Sequence, residues 1–103
     1  MGSPSKNKGT TYERELVNQA KEFGLNAIRA YGSNGKAIGE TEAVDLKINN
    51  FRIQAKRRKK IASFLLIPEG CDAVTFRSDN GETLVLIAWN LFLKFIKESN
   101  EKV

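Results

Sequence analysis

Apolar residues at Leu16, Val17, Ala20 and Phe23 recur every three to four positions among polar ones, which predicts an amphipathic helix. Thr10 and Glu13 fit a capping box ahead of it, and Gly24 ends it. Leu25 to Tyr31 alternates loosely and predicts a strand, and Gly32, Ser33, Asn34, Gly35 and Gly39 mark a loop reaching to about Glu42. Two alternating runs then flank Asn49 and Asn50, the pattern of a β-hairpin. With those Asn residues as the turn, Ile48 opposes Phe51, Leu46 opposes Ile53 and Val44 opposes Ala55 on an apolar face. Lys47 opposes Arg52, Asp45 opposes Gln54 and Ala43 opposes Lys56 on the other. Further on, Ile61 to Ile67 predicts a short helix stopped before Pro68. Asp72 to Arg77 and Thr83 to Ala88 predict two strands around an Asn80-Gly81 turn, extending the sheet. Trp89, Phe92, Leu93 and Ile96 share one face of a last helix, with Lys94, Lys97 and Glu98 outside. This order of elements predicts an α/β fold, a central mixed β-sheet flanked by helices.

Length narrows the picture to one domain: 103 residues with 41% hydrophobic content make one core, expected over residues 10–103 behind a flexible basic arm at 1–9. Seventeen Lys and Arg against twelve Asp and Glu leave a net charge of +5, which points to a polyanionic partner. The lone Cys71 makes no internal disulfide and, without any His, is poor material for a zinc site, so a reduced cytoplasm fits. No apolar run reaches the length of a membrane span and the N-terminus lacks a signal peptide's apolar core, so a soluble protein is expected, with no membrane partner.

The hairpin carries the candidate chemistry. Asp45 and the side-chain oxygen of Gln54 are hard ligands for Mg²⁺, and the backbone carbonyl of Ala55 supplies a third oxygen. Such a cation polarises a phosphate and acidifies a bound water, while Lys56 orients that water or stabilises developing charge. Asp, Gln and Lys on one face equally describe the solvated side of a hairpin. Glu13 has the same two readings: a capping residue needs no catalytic role, yet at the margin of the buried face it would be held close to the sheet. Arg57, Arg58, Lys59 and Lys60 form either a solvated edge or a set of phosphate contacts that give affinity without sequence specificity. Glu40 and Glu42 either assist a metal or are merely solvated, and the Trp89 stripe is core or, in part, a dimer surface.

Asp45 followed by Gln54, Ala55 and Lys56 at the end of an apolar strand resembles the core of the PD-(D/E)XK nuclease superfamily. Gln54 stands where the usual Glu is found, as in Mrr-like restriction nucleases, whose strand is similar to Ile53, Gln54, Ala55, Lys56, Arg57. Lys8, Gly9, Tyr12, Glu13, Arg14, Glu15, Leu16 and Val17 resemble the opening of archaeal-type Holliday-junction resolvases of the Hjc kind. Arg29, Ala30, Tyr31, Gly32 and Ser33 are similar to that family's Arg-containing strand and Gly-Ser loop. The resemblance covers residues 8–58 and implies a restriction-endonuclease-like domain. It implies a Mg²⁺- or Mn²⁺-dependent homodimer that cuts branched DNA, above all four-way junctions, leaving 5′-phosphate and 3′-hydroxyl ends. Carried onto this chain, Glu13, Asp45, Gln54 and Lys56 are catalytic, and Glu13, Asp45, Gln54 and Ala55 hold the metal. Arg14, Arg29 and Ser33 then handle phosphate, joined by Arg57, Arg58, Lys59 and Lys60. Two other readings stand beside it: an Mrr-like or repair nuclease acting on other DNA structures, and a catalytically silent junction-binding protein. A cellular and a phage origin are equally compatible.

Overall fold

Helix α1 (Pro4–Glu22) begins earlier than the capping box predicts, in a computed structural model that describes residues 4–30 and 35–101. Proline is pre-organised for a first helical turn, and Thr10 lies inside the helix, so the capping box at Thr10 and Glu13 does not form. Residues 4–9, expected in the loose arm, are part of α1. The C-terminal end is as predicted. Gly24, at φ 82°, donates to the Lys21 carbonyl at 2.9 Å and Leu25 donates to the Ala20 carbonyl at 3.1 Å, the two bonds of a Schellman cap.

The chain divides into two compact units, Met1–Arg57 and Arg58–Val103. In the first, α1 packs on β1 (Ala27–Arg29) and β2 (Leu46–Ile48), and β3 (Phe51–Ile53) completes an antiparallel sheet of order β1-β2-β3. Leu16, Val17, Ala20, Ala27, Leu46 and Ile48 are buried there. The hairpin register is the expected one, Leu46 against Ile53, Lys47 against Arg52, Ile48 against Phe51. Its turn is held by Asn49, at φ 51°, which donates its N–H to the Asn26 carbonyl at 2.8 Å and accepts the Asn26 N–H on Oδ1 at 3.2 Å. Phe51, expected on the core face, is 50% exposed because β3 is an edge strand.

Beyond Leu46 the hairpin departs from the expected pairing. The Asp45 N–H donates at 2.9 Å to the carbonyl of Ile53, the residue that Leu46 already opposes. Two residues of one strand set against one of its partner make a β-bulge, which breaks the strict alternation of side chains. The expected ladder pairs of Val44 with Ala55, Asp45 with Gln54 and Ala43 with Lys56 therefore do not form. Val44, Asp45 and Leu46 are consecutively buried, which an unbulged two-faced strand would not allow.

In the second unit, β4 (Ala73–Phe76) and β5 (Leu84–Ile87) pair with one another through the predicted turn, where Gly81 donates to the Ser78 carbonyl at 3.0 Å and Asn80 takes φ 62°. They form a two-stranded sheet of their own, so the α/β chain has two antiparallel sheets in place of one mixed sheet. The 61–67 segment makes only a 3-10 turn at Ser63–Leu65, because so short a run before a proline cannot sustain an α-helix. Helix α2 (Trp89–Glu101) buries Leu93 and Ile96 and leaves Lys94, Lys97 and Glu98 exposed, as its stripe predicts. Among the described residues, no helix is long and apolar enough to cross a membrane.

Candidate active site

Antiparallel pairing brings the end of β1, the start of β2 and the chain leaving β3 to one edge of the first unit's sheet. Asp45 sits at the centre of that edge. Its carbonyl accepts the Ala30 N–H at 2.9 Å on one side, its N–H reaches Ile53 on the other, and its Oδ2 accepts the Ala55 N–H at 2.7 Å. Glu13 on α1 is 4% exposed and Asp45 8%, and they are the two buried charged residues among those described. Arg29 links α1 to the sheet: Nη1 lies 3.6 Å from Glu13 Oε1 and also donates to the Ala30 carbonyl at 3.4 Å.

Taking a carboxylate out of water costs several kcal/mol unless it is paired or hydrogen-bonded. Glu13 has the Arg29 guanidinium, and Asp45 has the Ala55 amide. Glu13 does not cap α1, since it and Thr10 both lie inside the helix.

Ala55 is half-buried, while Gln54 and Lys56 are exposed on the segment that follows β3. Arg14 is exposed on α1, Arg57 is exposed at the end of the first unit, and Arg58, Lys59 and Lys60 are exposed in the second. Ser33 lies outside the described residues. The loop carboxylates are engaged elsewhere: Glu40 meets Lys47 at 3.1 Å and Arg52 at 3.8 Å, and Glu42 meets Lys36 at 2.9 Å. What sequence reasoning missed is a groove of about 500 Å³ between α1 and β1, to which Asn18 and Lys21 contribute along with Arg14 and Arg29. The signal was present in the spacing, since Arg14, Asn18 and Lys21 stand at i, i+4 and i+7 on one helix.

The donor set suits a hard divalent cation. Two buried carboxylates, the Gln54 side-chain oxygen and the Ala55 carbonyl are all oxygen ligands of the kind Mg²⁺ and Mn²⁺ prefer. Among the described residues no cluster of three or more His, Cys, Asp or Glu occurs, so the further ligands would have to be neutral oxygens.

Two helices and two antiparallel sheets are those of an α/β protein and are consistent with the restriction-endonuclease-like fold. The model of the archaeal Holliday junction resolvase (Hjc) family matches residues 4–91, and the chain belongs to that family. The family is one of nucleases that act on Holliday junctions and depend in general on divalent metal. No curated protein and no solved structure matches the chain.

Proposed function

We propose that the protein is a Mg²⁺- or Mn²⁺-dependent endonuclease that resolves four-way DNA junctions by paired phosphodiester hydrolysis. The observation that supports this best is the pair of buried acids, Glu13 and Asp45, held by Arg29 and the Ala55 amide in a chain of the resolvase family. Glu13, Asp45, the Gln54 side-chain oxygen and the Ala55 carbonyl would hold the cation, which when bound supplies Lewis-acid polarisation of the scissile phosphate. Lys56 is exposed, and its ammonium orients the attacking water and stabilises charge growing on the phosphoryl oxygens. Water attacks phosphorus, the bond from phosphorus to the 3′ oxygen breaks and that oxygen takes a proton, leaving 5′-phosphate and 3′-hydroxyl ends.

Arg14 and Arg29 present planar forks suited to phosphate oxygens, with Ser33 as a further donor. Arg57, Arg58, Lys59 and Lys60 hold the backbone without reading sequence. Paired cuts need two sites and each chain carries one Asp45, so the working form is a homodimer acting inside the cell. Leu93 and Ile96 of the α2 stripe are buried within the protomer, so they are core and not its dimer surface.

The test is incubation of an end-labelled four-way junction and a matched linear duplex with the protein, in Mg²⁺ or in EDTA, beside Asp45→Ala. Paired nicks confined to the junction, dependent on metal and lost in the variant, are expected. Cleavage of both substrates would move the reading to a general nuclease, and binding without any cutting would leave only a junction-binding protein.

A further inference from the structure

We propose that the groove between α1 and β1 is a phosphate track that receives the DNA backbone as it leaves the active site, with Lys21 and Asn18 as contacts for it. The inference rests on the nuclease reading above and adds a substrate-binding surface to it.

The groove is lined by Arg14, Asn18, Lys21, Ala27, Ile28 and Arg29 among others, so it has three cationic side chains and no carboxylate. The adjoining depression on α1 shares Arg14 and Asn18 but also takes in Glu15 and Glu22, which would repel a phosphate. Charge therefore distinguishes the two sides of one helix, and it favours the side that faces β1. Arg14, Asn18 and Lys21 stand in a row about 10 Å long, from a rise of 1.5 Å per residue. A strand carries one phosphate per about 3.4 Å of duplex axis, so a row of that length can meet more than one phosphate.

The floor of the groove is formed by β1. β1 is an edge strand, and it bonds to β2 and its turn through Asn26 and Ala30. Arg29 joins the track to the active site, because its guanidinium lies 3.6 Å from Glu13. Lys21 also stands in the last turn of α1, where a cation complements the helix dipole. That role does not account for Arg14, in the middle of the helix, or for the absence of acids from the groove.

The test measures anisotropy of a fluorescent four-way junction in EDTA over a series of KCl concentrations. Lys21→Gln should weaken binding roughly fivefold near 0.1 M salt and lower the slope of log affinity against log salt by about 0.9, with Lys21→Arg restoring both. Asn18→Ala should weaken binding with the slope unchanged, since no charge is lost, and Lys94→Gln on the exposed face of α2 should change neither. A Lys21→Gln protein with a lowered melting temperature but wild-type affinity and slope would show a helix-dipole role only and overturn the track. If the wild-type protein binds no junction, the nuclease reading itself falls and the track with it. If the wild type binds and Lys21→Gln binds equally well, the track alone falls.

Discussion

Asp45 is buried by one backbone bond, its N–H to the Ile53 carbonyl, and is kept there by another, the Ala55 N–H to its carboxylate. Asp45→Asn keeps an acceptor for that amide, so it should fold within about 1 kcal/mol of wild type in urea melts while losing cleavage and Mn²⁺ binding. Asp45→Ala leaves the Ala55 amide without its charged acceptor and should cost about 1.5–3 kcal/mol in the same melts. Glu13 and Arg29 make an asymmetric pair, with side chains 5% and 17% exposed. Arg29→Met takes the guanidinium from beside a buried carboxylate and should cost about 3–5 kcal/mol by urea denaturation. Glu13→Gln should cost less, because the Arg29 stem can carry its head toward water. Equal costs would show that Arg29 is not what offsets the burial of the Glu13 side chain.

At the scale of elements, local chemistry decided where chains turn. Gly24 in the left-handed region ends α1, and a Cβ there would meet open space, so Gly24→Ala tests conformation alone. The substitution should cost about 1–2 kcal/mol, read as a lower midpoint in thermal or urea melts, and no loss would mean that the cap adds nothing. The Asn49 and Asn80-Gly81 turns and the hairpin register were legible for the same reason, since few residues accept positive φ and a two-residue loop sets what opposes what. The start of α1 was not. A Thr-x-x-Glu pattern is compatible with a helix interior as well as a cap, and Pro4 offered an earlier start. The bulge at Asp45 had no local mark, because it reflects a bond to Ile53 eight residues away.

For the whole molecule, a net charge of +5 and six nominated Arg and Lys contacts tie affinity to salt. Junction binding should fall roughly 10³-fold between about 50 and 200 mM salt, measured by anisotropy, and a flat response would remove the backbone contacts from the mechanism. The family match runs across both units, from residue 4 to residue 91. The second unit leaves Phe64, Leu66, Leu84 and Val85 half or more exposed. A homodimer should show in sedimentation equilibrium as twice the 11.5 kDa chain mass, while a monomer at working concentrations would leave paired cutting without its second site.

By itself, the order of residues determined the class of fold and the register of the hairpin that follows Asp45. Periodicity, turn chemistry and short motifs are local, and a chain of 103 residues has few ways to satisfy them together. Tertiary structure alone decided that Asp45 is buried with Leu46 and not turned to solvent with Lys47, that Arg29 is the counter-ion of Glu13, and that Lys21 shares a groove with both arginines. Each of these depends on residues distant in sequence meeting across packed elements, where burial and charge pairing set the energy and no local pattern records the partner.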